Sequence, residues 1–273
     1  MQTAYKKYFR DNLPHIWCPG CGNGIVMGAF ARAIEMLDYD KDKVLVVSGI
    51  GCSSRITGYL DFNTLHTAHG RALAFATGAK VAEPRLKTFV IMGDGDAAAI
   101  GGNHFIHACR RNIDITTIII NNNIYGMTGG QFSPLTPKGR KATTAPYGNI
   151  DRSFDIVDLS KGAGATYIAR GDVFHAFRLS YLIAEAARHK GFSVVEAVST
   201  CPISYGRHNK FKGAADMVNY LKKRTIALNR ASRMNPEALE GKIITGIFYE
   251  SEDEEYCDAF ERLEASVKKG ARK

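Results

Sequence analysis

The chain contains no run near the roughly 20 apolar residues that a membrane-spanning helix needs, so no membrane association is expected. Its first residues, Met1 to Tyr8, lack the apolar core of a secretory signal, which makes a cytoplasmic protein the expectation. There is no internal repeat, no low-complexity tract and no clear linker, so residues 1–273 are read as a single domain with an extended C-terminal tail. No second Cys-x-x-Cys accompanies Cys18-Pro19-Gly20-Cys21. Six cysteines in an unexported chain are read as free thiols or metal ligands, which sets a disulfide framework aside. Long blocks of one charge are missing too. The net charge of +9 is spread along the chain, and the clusters Lys138-Gly139-Arg140-Lys141 and Lys222-Lys223-Arg224 are short enough to be solvated surface. The surplus favours anionic partners in general, from phosphorylated cofactors to nucleic acid, and decides nothing alone.

What is present is an alternation of apolar strands and helices. Val44 to Val47, Phe89 to Met92, Ile115 to Ile120 and Val194 to Val198 are continuous apolar, β-branched runs of the kind buried in a parallel sheet. Helical patterns over Gly24 to Leu37, Ala72 to Val81, Asn103 to Arg111 and Val173 to His189 separate them. The expected fold is α/β, a doubly wound, mostly parallel sheet with ligands at the carboxyl ends of its strands. The Gly-, Thr- and Pro-rich stretch from Tyr125 to Asp155 interrupts the alternation and is read as an active-site wall. From Gly241 the tail reads as a strand, an acidic turn over Glu250 to Glu255, and an amphipathic helix.

One strand ends in Gly93-Asp94-Gly95-Asp96 and the next in Asn121-Asn122-Asn123. Adjacent parallel strands would set Asp94 beside the asparagines, and one carboxylate, one amide oxygen and backbone carbonyls suit Mg²⁺. Gly93 to Asn122 spans 30 positions inclusive. This resembles the signature of thiamine-diphosphate enzymes, which opens with Gly-Asp-Gly and closes with Asn-Asn. The resemblance implies metal ligation by Asp94, the side chain of Asn122 and the carbonyl of Ile124.

Cys18 and Cys21 bring two thiolates together, and Cys52 and Cys201 both follow apolar strands on the same predicted edge. Four thiolates there suit a [4Fe–4S] cluster or a zinc site with four cysteine ligands, and a neighbouring thiamine-type site favours the redox cluster. Cys109 and Cys257 are read as plain small side chains. His66 with His69, and His104 with His107, are three apart but lack carboxylates in register, so no metal is assigned to them. His69 is instead placed at a helix start, next to phosphate.

Trp17-Cys18-Pro19-Gly20-Cys21-Gly22, Gly51-Cys52-Ser53-Ser54, His69-Gly70-Arg71-Ala72, Gly93-Asp94-Gly95-Asp96 and the run Asn122 to Gln131 stand in the order seen in β subunits of 2-oxoacid:ferredoxin oxidoreductases. The chain resembles that family from Trp17 to Cys201, and Thr143 to Asp151 resembles its 2-oxoglutarate type. The resemblance implies CoA-dependent oxidative decarboxylation of a 2-oxoacid, with electrons passed to ferredoxin. It implies thiamine diphosphate contacts from Ile50, Gly51, Cys52, Ser53, His69, Gly70, Gly93, Asp94, Gly95, Asp96, Asn122, Ile124, Tyr125, Gly126 and Met127. Cluster ligation would fall to Cys18, Cys21, Cys52 and Cys201.

A glutamate that activates the thiamine ring is missing. Before the Gly-Asp-Gly motif stand only Glu35, mid-helix, and Glu83, ahead of Pro84. A partner α subunit is therefore expected to bring the glutamate and the CoA region, in a heterodimer or a dimer of heterodimers. Where some relatives carry a basic residue after the diphosphate motif, this chain has Gly129, which leaves room for a longer substrate such as 2-oxoglutarate. Arg55, Arg71, Lys138 and Arg140 are the cations considered for its distal carboxylate. Pyruvate and branched-chain 2-oxoacids are the alternative substrates. A non-redox thiamine-diphosphate decarboxylase leaves the four cysteines unexplained. A zinc-bearing nucleic-acid module leaves the Gly-Asp-Gly and Asn-Asn pair unexplained, so no nucleic acid is expected.

Overall fold

The computed structural model describes residues 4–270. In chain order it holds α1 (Asn23–Leu37), β1 (Val44–Ser48), β2 (Asn63–His66), α2 (Ala72–Ala82), β3 (Lys87–Gly93), α3 (Gly102–Arg111), β4 (Ile115–Asn121), α4 (Ile156–Ala163), β5 (Tyr167–Asp172), α5 (Ala176–Arg188) and β6 (Ser193–Val198). There follow α6 (Ala214–Arg224), β7 (Thr225–Ala227), the short α7 (Leu228–Ala231) and α8 (Pro236–Leu239), β8 (Ile243–Glu250) and α9 (Tyr256–Gly270). The eight strands form one sheet in the order β2-β1-β3-β4-β6-β5-β8-β7. The first six are parallel, and β8 runs antiparallel to β5.

Strands β1, β4 and β6 are buried at every position because helices cover both faces of the sheet. Val44 and Val46 pack with α1 and α5 on one face, and Leu45 and Val47 with α2 and α3 on the other. Because β2 and β3 flank β1 on opposite sides, the chain leaving β1 and the chain leaving β3 diverge, opening a crevice over their carboxyl ends. No described helix is long and apolar enough to cross a membrane.

The strands expected from sequence are present with small extensions, and β2, β5 and β7 join them. Helix α5 begins at Ala176, later than the expected Val173. Asp172 Oδ1 accepts the His175 N–H at 3.0 Å, and the His175 ring also sits against that carboxylate, which holds residues 172–175 outside the helix. The tail forms the expected strand, turn and helix as β8, residues 251–255 and α9.

Under α2, Lys80 is almost wholly buried and donates to Asp114 Oδ2 and to the Leu86 carbonyl, each at 2.8 Å. Lys80→Met leaves Asp114 unpaired, with a fifth of its side chain exposed. It is expected to remove about 2 kcal/mol of stability, seen as a lower urea midpoint at unchanged slope. An unchanged midpoint would mean that water satisfies Asp114.

Candidate functional site

The carboxyl ends of β1, β2, β3, β4 and β6, with the turn at Cys18–Cys21 ahead of α1, bring most of the sequence-marked residues to one edge. Strand β3 lies on β4 with Gly93 opposite Ile120, so the two segments leave the sheet as neighbours, and Asp94 and Asn122 line one cleft. A shallow cleft of about 50 Å³ is lined by Ile50 to Ser53, His69, Gly93 to Asp96, Asn122, Ile124 and Tyr125 to Met127, joined by Thr128. Gly70 does not line it. Its φ of +70° turns the backbone so that its N–H donates to Asp96 Oδ1 at 2.6 Å.

Asp94 is buried, and its side-chain partner among the described residues is the Ser133 hydroxyl, which donates to Oδ2 at 2.5 Å. Burial pushes the carboxyl up to about 7, against the pull of Ser133 and the Gly95 N–H. A carboxylate held in this way, with only hydroxyl and amide donors, is one that a hard cation stabilises. Asn122 Oδ1 accepts the Ile124 N–H at 3.1 Å, the local turn that asparagine favours. Asn123 follows in the left-handed region at φ 62°, and its carbonyl accepts from Thr136 Oγ1 at 2.6 Å. The loop from residue 125 to 155 is thus a wall, tied to the strand ends at Ser133 and Thr136.

Asp96 faces the cleft with its Oδ1 occupied by the protein, while its buried Oδ2 has no partner among the described residues. It receives the N–H of Gly70, lies 2.8 Å from His69 Nδ1, and approaches the Ile50 N–H at 3.5 Å. One side chain therefore fixes the segments after β1 and β2. His69 and Tyr125 stand with ring centres 6.0 Å apart, and Tyr125 donates to the Gly95 carbonyl at 3.2 Å. His66 closes β2, so it shares no helix face with His69.

A second space of about 310 Å³ is ringed by Cys18, Cys21, Cys52 and Cys201. The turn at Cys18–Cys21 closes with the Cys21 N–H donating to the Cys18 carbonyl at 3.0 Å. It needs glycine at position 20, where φ is +77° and a Cβ would stand 2.1 Å from Ala214 Cβ. Trp17 Nε1 donates to the Cys52 carbonyl at 2.6 Å. Burial pushes the Cys21 thiol up to about 12, with Cys201, Cys52 and Cys18 adding to the shift. Burial, then Cys201 and Cys18, push Cys52 up to about 11. Buried thiols that disfavour one another's ionisation become thiolates when a cationic centre sits among them. No group of three or more His, Cys, Asp or Glu among the described residues closes on a single-ion position. The four thiols instead surround a space larger than one ion.

The two spaces share a wall of Cys52, Asn122, Gly126 and Met127. A Cβ on Gly126 would stand 3.5 Å from both Cys52 Sγ and Cys201 Sγ, so the wall is bare backbone there. Of the four cations considered for a substrate carboxylate, Arg55 lines the cysteine space, whereas Arg71 Nη1 is bound to the Ile100 carbonyl at 3.1 Å. Lys138 and Arg140 line a different cavity. Among the described residues, no glutamate lines either cofactor-side space. Glu35 pairs with Lys7 and Glu83 with Arg85.

Ser133, which sequence reasoning placed only in a loop, is the residue it missed. Ser133→Ala should weaken the joint binding of Mg²⁺ and thiamine diphosphate, the pair that the resemblance implies, by about tenfold. Titration followed by tryptophan fluorescence measures this, and unchanged affinity would detach Ser133 from the site.

Residues 43–197 match the family model described as "Thiamine pyrophosphate enzyme, C-terminal TPP binding domain". The chain is 53% identical to the 2-oxoglutarate synthase subunit KorB of Methanocaldococcus jannaschii over 98% of its own length and 99% of the relative's. It is 51% identical to the subunit of the same name from Archaeoglobus fulgidus, over 100% and 99% of the two chains. Among solved structures it matches a 2-oxoglutarate:ferredoxin oxidoreductase from Magnetococcus marinus, with 2-oxoglutarate, coenzyme A and succinyl-CoA bound. The TM-score is 0.86 at 32% identity, covering 96% of this chain and 90% of that one. A thiamine-type domain spanning more than half the chain, and half-identical relatives along its whole length, lead to one conclusion: the chain belongs to the β subunits of the 2-oxoglutarate:ferredoxin oxidoreductase family of enzymes.

Proposed function

We propose that this β subunit binds Mg²⁺ and the diphosphate of thiamine diphosphate over Asp94, and a [4Fe–4S] cluster between Cys18, Cys21, Cys52 and Cys201. In this reading it serves the CoA-dependent oxidative decarboxylation of 2-oxoglutarate to succinyl-CoA, with electrons leaving to ferredoxin. The observation that carries it is the common wall of Cys52, Asn122, Gly126 and Met127 between the two spaces. When bound, thiamine diphosphate supplies the decarboxylation chemistry and the cluster supplies one-electron acceptance.

The chain's own residues hold and separate the two groups. Asp94, the Asn122 amide oxygen and the Ile124 carbonyl are assigned to Mg²⁺, with Ser133 fixing the second oxygen of Asp94. Asp96 and Gly70 set the loops that carry Ile50 to Ser53 and His69 toward the cofactor. Gly126 keeps the wall thin, and Met127 and Ile50 cover it with apolar surface. Arg55 is assigned the substrate's distal carboxylate, because of the cations considered it alone lines a cofactor-side space. The support for 2-oxoglutarate over pyruvate or a branched-chain acid is the naming of the half-identical relatives.

The absence of glutamate from both linings supports an α subunit that brings the activating carboxylate and the CoA region. Exposed apolar side chains at the mouth, Ile16, Ile50, Met127 and Ile203, suit the docking of such a subunit. A heterodimer or a dimer of heterodimers completes the centre.

The test is anoxic purification with the α subunit and assay of several 2-oxoacids with CoA and ferredoxin. The expected outcome is preference for 2-oxoglutarate. Cys52→Ser should reduce ferredoxin reduction to background and weaken thiamine diphosphate binding by less than about tenfold. Equal loss of both would overturn separate sites, and preference for pyruvate would overturn the substrate.

A further inference from the structure

A larger cavity, of about 480 Å³, lies on the opposite side of the same strand ends. Neighbouring residues divide between the two sides. Asn121 and Asn123 face this cavity while Asn122 faces the cofactor cleft, and Thr200 faces it while Cys201 faces the cysteine space. None of the four cluster-type cysteines, nor Asp94, lines it.

Its floor is a closed charge network. Arg170 Nε donates to Glu196 Oε2 at 2.5 Å, and Arg170 Nη2 donates to the two Asp155 oxygens at 2.8 and 2.9 Å. Glu196 Oε1 accepts from Asn121 Nδ2 at 2.7 Å. Both carboxylates in the lining are therefore engaged. Lys138, Arg140, Arg224 and Lys242 complete the charged lining, and none of them is in an ion pair among the described residues. Arg140 approaches the Tyr220 hydroxyl at 3.5 Å. Arg224 donates to the Gly241 carbonyl at 2.8 Å and covers the Tyr220 ring. The two arginines are half-buried and the two lysines stand exposed at the mouth. Tyr205, Phe211 and Tyr220 form an aromatic wall, with ring centres 6.3 and 5.2 Å apart along the row.

Five cations face two carboxylates, both already held by one of the cations. Four unpaired like charges around one concavity repel one another, and a bound anion relieves that repulsion. Guanidinium groups offer paired donors that match phosphoryl and carboxyl oxygens, while the lysines act as point charges. The volume falls within the range of roughly 300–1,000 Å³ typical of small-molecule sites. The aromatic wall adds a place for an uncharged, planar body.

We propose that this cavity binds a small organic anion with a flat apolar body and at least two negative charges, phosphoryl or carboxyl. Arg140 and Arg224 grip the charged groups, Lys138 and Lys242 attract them at the mouth, and the body lies along Tyr205, Phe211 and Tyr220.

The test uses the α–β complex saturated with thiamine diphosphate, Mg²⁺ and CoA, so that the cofactor and CoA positions are filled. Calorimetric titration with adenosine monophosphate and with benzene-1,3,5-tricarboxylate should give saturable binding of at least one, at one equivalent per β chain. The tighter of the two identifies phosphoryl or carboxyl as the preferred group. Combining Arg140→Gln with Arg224→Gln should weaken it by more than about tenfold, with thiamine diphosphate affinity unchanged. Should that variant not fold, the exposed pair Lys138→Gln and Lys242→Gln carries the test, with an expected loss of about threefold to tenfold. No saturable binding of either probe, or binding indifferent to the substitutions, would overturn the site. Release of the α subunit by the rim variants would also overturn it, by assigning the charges to a subunit contact.

Discussion

The arrangement of the whole carboxyl edge depends on the register of β4 between β3 and β6. Side chains alternate along a strand, so Asn121 turns toward Glu196 and the basic cavity while Asn122 turns toward Asp94 and the cofactor cleft. A slip of one residue would exchange them. Ile118, Ile119 and Ile120 fill both faces alike and would not oppose the slip. What opposes it is a buried polar bond to the neighbouring strand, Asn121 Nδ2 donating to Glu196 Oε1 at 2.7 Å, where β4 pairs in step with Gly93 on one side and Val198 on the other.

Once the register is set, the loops inherit their positions through a few buried polar side chains. Asp96 joins the segments after β1 and β2, Ser133 ties the long loop to Asp94, and Thr136 ties it to Asn123. Each is a short contact between residues far apart in sequence, and each sits where an unpaired polar group would be costly. Wide helical turns lie at the same edge, the first, Asp96–Ile100, starting at one of these anchors and the second, Pro202–Gly206, directly after Cys201. Turns of this kind collect at functional sites because they shift the backbone without ending the helix.

The edge was legible in the sequence because its strands are uninterrupted apolar runs and its motifs sit at their ends. Strand β2 escaped notice because it is a short, largely exposed edge strand, Asn63–His66, with no apolar alternation. Strand β5 escaped because Arg170 and Asp172 make it look like a surface segment. Both are partnered inside the fold, Arg170 by Glu196 and Asp155, and Asp172 by the His175 ring at 2.9 Å. The bond from Ser133 to Asp94 spans 39 residues and has no local signature. Sorting Arg55 from Arg71, Lys138 and Arg140 was likewise beyond a linear reading, since it depends on which side of a strand end each loop returns to.

The shallowness of the cofactor cleft and the lack of a glutamate in it are two sides of one property. The cleft over Asp94 holds about 50 Å³, and in the proposed reading it takes the diphosphate end of the cofactor. A proton relay works only within hydrogen-bond reach of the ring it serves. In the proposed reading, the surface that covers the rings is the one that can reach them with an acid. The exposed apolar rim at Ile16, Ile50, Met127 and Ile203 suits such a covering surface. The cysteine space shares the wall of Cys52, Asn122, Gly126 and Met127 with this cleft, so its thiols stand at the same open edge, where Cys18 is exposed.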